Sequence, residues 1–171
     1  MKKIFLTIAI FANANLSWAI PIATNVALPV TKGETVYRIQ AKSIKPKGMK
    51  ETYVYPVAFA HGLSGKTVLI GAFPYKVTPS TSGIVDIPLT IRHTVYQKNA
   101  PLETSRFALL GGIKLPMGSD TFTTESTDWR FGGVYTYQND RHEFDASVLY
   151  SINTEAQDVE KGDTIAHDLA Y

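Results

Sequence analysis

GIVDIPLTIRHTVYQ, residues 83–97, decides the fold. Val85, Ile87, Leu89, Ile91 and Val95 occupy every second position, with His93 the one interruption. Asp86, Thr90, Arg92, Thr94 and Tyr96 fill the alternate positions together with Pro88. Successive side chains of a strand point to opposite faces, so the stretch reads as one long strand with an oily face and a wet face.

Working outward, the same rule recurs. In residues 127–138, Trp129, Phe131, Tyr135 and Tyr137 alternate with Asp128, Arg130, Thr136 and Gln138, and Val134 is the exception on the wet side. In residues 143–153, Phe144, Ala146, Val148, Tyr150 and Ile152 oppose Glu143, Asp145, Ser147, Ser151 and Asn153. Residues 105–115 follow it less strictly: Phe107, Leu109, Ile113 and Leu115 oppose Arg106 and Lys114, and Leu110 intrudes. Further strands are expected at 34–41, 52–61, 66–75 and 163–171. From Ile20 onward there is no sustained helical stripe. About eight strands result, each near the length a tilted membrane strand requires.

The chain has 171 residues, enough for one domain. It is 44% hydrophobic and 19% charged, a balance unlike that of a disordered chain. It contains no cysteine, which excludes disulfides, thiol catalysis and Cys-ligated zinc. Lys2 and Lys3, the apolar run IFLTIAIFA at 4–12 and Ser17-Trp18-Ala19 form a secretory signal pattern, so residues 1–19 are expected to be removed and residues 20–171 to form the domain. The alternative is an uncleaved anchor. Without Lys2 and Lys3 the chain carries fifteen basic and fifteen acidic residues, which argues against nucleic acid as a partner.

Two covered architectures fit an oily face and a wet face. A β-sandwich buries the oily face under a second sheet. A membrane barrel turns it to lipid and encloses the charges, which must then pair. The wet faces supply Asp86, Arg92, Arg106, Lys114, Asp128, Arg130, Glu143 and Asp145, four acids and four bases on adjacent strands. That balance suits a closed polar lumen. Aromatic residues gather near strand ends (Tyr53, Tyr55, Phe73, Tyr75, Trp129, Tyr135, Tyr137, Tyr171), as interfacial girdles would. Connections that alternate between short and long point the same way. The expected fold is therefore an all-β antiparallel transmembrane barrel, with about eight strands present, complete or part of a larger one.

Catalytic and ligand motifs are few. Residues 60–67, AHGLSGKT, fit a relaxed phosphate-loop pattern, but the following VLIGAFP is β-prone and cannot supply the helix such a loop needs. A hairpin turn at Gly62, Ser64 and Gly65 is expected instead. His61, His93, His142 and His167 include no pair at i, i+2 or i, i+4, so no metal site is expected. No Gly-x-Ser-x-Gly occurs. No cofactor and no enzymatic activity are expected.

Charge is divided along the chain: residues 20–115 carry twelve basic and four acidic side chains, and residues 116–171 three and eleven. Lys42, Lys45, Lys47 and Lys50 make the first long loop basic, while Asp120, Glu125, Glu155, Asp158 and Glu160 make the last two acidic. These loops either are solvated, or meet at a barrel rim, or, for the basic one, contact lipopolysaccharide phosphates.

Four stretches resemble one outer-membrane family, that of the MetA pathway of phenol degradation. PVTKGETVYR at 29–38 is similar to its opening strand, and PVAFAHGLSGKTVLIGAFPY at 56–75 to its strand–turn–strand ending in Pro-Tyr. SGIVD at 82–86 resembles its Gly-x-Gly-Asp start of a long strand, with Val85 where glycine is common. GIKLPMG at 112–118 resembles its Lys-Leu-Pro-Thr-Gly turn, with Met117 for threonine, and STDW at 126–129 the strand start that follows. The resemblance implies passage of small hydrophobic or aromatic compounds across an outer membrane, with lipid around the wall and no role for any single residue. A plugged structural or adhesive barrel, and a soluble periplasmic sandwich or lipocalin-like binder, remain the alternatives.

Overall fold

The computed structural model describes residues 30–45, 51–154 and 162–170. The signal pattern at 1–19, the lysines at 47 and 50, the acids at 155, 158 and 160, and Tyr171 lie outside them. Ten strands and no helix occur among the described residues: β1 Thr35–Ile39, β2 Lys42–Ile44, β3 Thr52–Gly62, β4 Thr67–Val77, β5 Ser82–Ile84, β6 Ile87–Ala100, β7 Glu103–Leu115, β8 Asp128–Asn139, β9 Glu143–Ile152 and β10 Thr164–Ala170.

All belong to one antiparallel sheet in the order β1-β3-β4-β6-β7-β8-β9-β10, with β2 also on β3 and β5 also on β4. The ten strands are eight lines of chain, two of them broken. Prolines explain both breaks. Pro56 and Pro74 face each other across β3 and β4 and have no N–H to donate. Opposite Pro56 the ladder lapses between β1 and β2, where the Gln40 amide still donates to the Pro56 carbonyl at 3.2 Å. Opposite Pro74 it lapses between β5 and β6, where the Val85 amide donates to the Pro74 carbonyl at 2.9 Å. Among the described residues no pairing joins β1 to β10, so the sheet is open where the sequence reading expected a closed barrel.

The register sorts side chains onto two faces. One row runs Val68, Arg92, Leu110, Gly132, Leu149, and its neighbour runs Leu69, Ile91, Gly111, Phe131, Tyr150, Ile165. The first face is covered and the second is not. Val134 and Thr136 are 0% exposed, although no second layer lies over them among the described residues. A single sheet hides one face this way only by curling, so this face is concave.

The concave face is lined with small and polar groups. The buried residues include Asp86, Arg92, Thr94, Asp128, Thr136, Asp145 and Ser147 beside a small apolar cluster of Ala108, Leu110 and Val134, with Leu149 packed against it. The convex face carries the bulk: Val57, Phe73, Ile91, Leu109, Trp129, Phe131, Val148 and Tyr150 are all exposed. Phe59 and Phe73 stack there with ring centroids 6.3 Å apart, and Phe59 leans over Gly71 so closely that an added Cβ would sit 2.5 Å from its ring.

Two readings of 83–97 need correction. The register slips between Thr94 and Tyr96, a bulge that moves Tyr96 from the expected wet face to the convex face opposite Phe107 and leaves Val95 exposed beside it. Ile87 at the strand's start is buried, not exposed with Ile91. The phosphate-like stretch is a hairpin, with Ser64 Oγ accepting from the amides of Lys66 and Thr67 at 3.2 and 3.0 Å.

Connections at one end are tight: 63–66, 101–102 and 140–142. At the other end residues 78–81 make an equally short turn between β4 and β5, and the longest fully described connection, residues 116–127, joins β7 to β8.

Candidate functional site

The long-loop end holds a buried polar cluster built from three lines of chain. Lys114 and Asp128 are directly opposed in the β7–β8 ladder, and Asp86 occupies the break between β5 and β6. Lys114 Nζ therefore falls between two carboxylates. It forms an ion pair with Asp128, lies 3.8 Å from Asp86 Oδ2 and donates to Thr124 Oγ1 at 2.6 Å. All three charged side chains are largely withdrawn from solvent; Lys114 is 14% exposed. One cation against two carboxylates leaves one negative charge to be held by hydrogen bonds.

The loop supplies those bonds. Asp86 Oδ2 accepts from the Thr124 amide at 2.8 Å and the Thr124 hydroxyl at 2.6 Å, and Oδ1 accepts from the Gly118 amide at 3.2 Å. Burial pushes the Asp86 carboxyl upward, but the Thr124 hydroxyl and amide, the Thr123 hydroxyl and the Gly118 amide outweigh it and hold the group below its ordinary value. Ser126 Oγ lies 3.0 Å from both Thr124 Oγ1 and Asp128 Oδ1, and can donate to one at a time. Asp128 Oδ1 also accepts from the Thr154 amide at 3.3 Å. Between these anchors Glu125 takes φ 52°, the left-handed region that costs a non-glycine residue about 1 kcal/mol.

The other charged residues named from the sequence share the concave side without joining this cluster. Arg106 faces Thr136 across β7 and β8, and Thr136 Oγ1 donates to Asp145 Oδ1 at 2.5 Å. Glu143 is two residues from Asp145 on the same face of β9 and is exposed. Arg92 is buried opposite Leu110, and Arg130 lies opposite Gly112 and Ser151. Arg106 Nε and Arg130 Nε are buried with no hydrogen-bond partner among the described residues. The eight residues thus form one cluster of three, one ladder row and scattered members. Sequence reasoning missed Gly118, Thr124, Ser126 and Thr154. The hydroxyl-rich TFTTEST at 121–127 was a signal for Thr124 and Ser126, and Gly118 and Thr154 had none.

On the convex face two threonine–histidine pairs bridge strands, Thr35 to His61 Nδ1 at 2.8 Å and Thr67 to His93 Nδ1 at 2.9 Å. A nucleophile–base pair needs a third group to orient the base. Among the described residues no carboxylate bonds either ring, so the pairs read as strand-to-strand ties. Also among the described residues, no three of His, Cys, Asp and Glu gather as metal ligands.

The geometry defines a class: an all-β protein of one curled antiparallel sheet, polar inside and apolar outside. A family model described as "Putative MetA-pathway of phenol degradation" matches residues 49–171, and the chain belongs to that family. No curated protein and no solved structure matches it.

Proposed function

We propose that the chain forms the wall of an outer-membrane β-barrel through which small hydrophobic or aromatic compounds pass, or in which they bind, without catalysis. The observation that carries the reading is the inversion of the faces. Twenty-five large hydrophobic side chains are exposed among the described residues, while arginine, aspartate, threonine and serine are buried. Each large apolar side chain left in water forgoes about 1.5–3 kcal/mol. A soluble domain would turn the sheet the other way. Hydrocarbon around the convex face removes the contradiction, and on the concave side Lys114 stands between the carboxylates of Asp86 and Asp128.

Three further features support the reading. The turns at 63–66, 101–102 and 140–142 are all tight and lie at one end, while the long connection 116–127 lies at the other beside the short turn 78–81, a partial match to the asymmetry of bacterial outer-membrane barrels. Tyr53, Tyr55, Tyr75 and Trp129 are exposed toward the long-loop end, and Tyr96 and Phe144 toward the tight-turn end, as two interfacial girdles would be. β1 and β10 run antiparallel to each other, so they can pair to close a barrel. The signal pattern at 1–19 supplies the route of export.

Fractionation tests the proposal. The protein should remain with outer membranes after carbonate washing and should migrate differently in SDS gels before and after boiling. Release into the soluble periplasmic fraction would refute it. A filled structural barrel is the second reading, favoured by the Ala108, Leu110, Val134 and Leu149 cluster on the concave side. Planar-bilayer recording of the refolded chain separates the two, since a filled barrel has no conductance.

A further inference from the structure

The connection at 116–127 does not stand away from the sheet. It leaves β7, crosses the start of β6 and reaches β5 and β4. The Ser119 amide and hydroxyl both donate to the Ile84 carbonyl, at 2.9 and 3.1 Å. The amides of Phe122 and Thr123 return to the Ser119 carbonyl at 2.7 and 2.9 Å, a helical turn that fixes the position of Phe122. Phe122 then packs at Gly83, where an added Cβ would lie 3.0 Å from its ring and closer still to the Ser119 hydroxyl. Lys76 Nζ sits 5.5 Å from the Phe122 ring centroid. Gly83 pairs with Lys76, and Lys76 pairs with buried Val54, so all three share the concave side.

The loop is therefore folded inward, over the long-loop end of the concave face, and two anchorages hold it. One is Ser119 and Phe122 on β4 and β5. The other is the Asp86–Lys114–Asp128 cluster, whose carboxylates are satisfied by Gly118, Thr124 and Ser126 of the loop itself. Compact loops whose ends lie close together and which pack through their own side chains are commonly functional elements.

We infer that residues 116–127 are a lid over that mouth of the concave face, latched by Lys114 between Asp86 and Asp128. Resting on the passage-or-binding reading above, the lid sets which compounds reach the interior, and loosening the latch exposes it. Its chemistry is fixed by what it presents: one aromatic ring, Phe122, backed by a cation.

The chain's lack of cysteine makes the test direct. Thr90→Cys places one thiol on the concave face four residues into the strand from Asp86, and Ser147→Cys places one on β9 nearer the tight-turn end. Each is reacted with a charged, water-soluble methanethiosulfonate in the otherwise unaltered protein, in the Lys114→Met variant and in the milder Thr124→Val variant. Unlatching should speed labelling at Thr90→Cys by about tenfold or more, as local opening does, and leave Ser147→Cys unchanged. Equal rates at Thr90→Cys in all three backgrounds would overturn the lid. A parallel rise at Ser147→Cys would overturn it too, showing that the cluster holds the sheet and not the loop. The labelling is read equally well on a soluble protein, so failure of the membrane reading in fractionation stays distinguishable from failure of the lid.

Discussion

Lys114→Met is the perturbation whose size the structure sets most closely. Methionine keeps the length and packing of the stem and removes only the charge and its donors. What is lost is an ion pair to Asp128, a second carboxylate at 3.8 Å and a hydrogen bond to Thr124 at 2.6 Å. What remains is worse than what is lost, because two nearly buried carboxylates are left with no cation between them. Stranding a charge in this way costs about 3–5 kcal/mol. Asp86 keeps its bonds from Gly118 and Thr124, so most of the penalty falls on Asp128. Asp128→Asn in the same chain should therefore recover about 2 kcal/mol of coupling, within the range for residues in direct contact. The assay is urea unfolding of the refolded protein for the two single variants and the double. A cost below about 1 kcal/mol for Lys114→Met, the value of a solvated surface pair, would refute the buried cluster and with it the latch.

Other consequences are independent of that cycle. Arg92→Ala removes a buried cation from the concave wall and should lower stability by about 3 kcal/mol; an unchanged urea midpoint would put that side chain in solvent. Asp86 is held below its ordinary carboxylate value, so its contribution is complete above about pH 4 and is lost as pH falls through the lower folded value. The stability gap between the unaltered chain and Asp86→Asn should accordingly be flat from about pH 7 to 5 and shrink in stronger acid, measured by urea midpoints across pH. Gly71→Val drives a side chain into the Phe59 ring and should cost about 1–3 kcal/mol by the same assay.

Much of this architecture is written in alternation. Residues 83–97, 127–138 and 143–153 declare their strands because a period of two has no helical counterpart, and all eight lines of chain are found where the pattern puts them. The interruptions carried information as well. Val134 and Leu110, out of phase with their polar neighbours, are the apolar cluster of the concave face. The bulge at Thr94/Tyr96 was not legible, because one extra residue reverses the phase without changing composition. Nor were the breaks at β1/β2 and β5/β6, since the responsible prolines lie on the neighbouring strands β3 and β4. Of the candidate site, the charges were visible and their grouping was not. Asp86, Lys114 and Asp128 belong to three lines of chain, and only strand register brings them together. Thr124 and Ser126 follow no period, and loop residues recruited by tertiary contacts leave none to find.

Leu109 tests the central claim most directly. It lies midway along β7 on the convex face and is 50% exposed. Leu109→Arg, refolded into lipid vesicles, should lose about 2–4 kcal/mol, the cost of a guanidinium placed in hydrocarbon. A change within about 0.5 kcal/mol, as at an ordinary wet surface, would mean that water covers the convex face and that the chain is not a membrane wall.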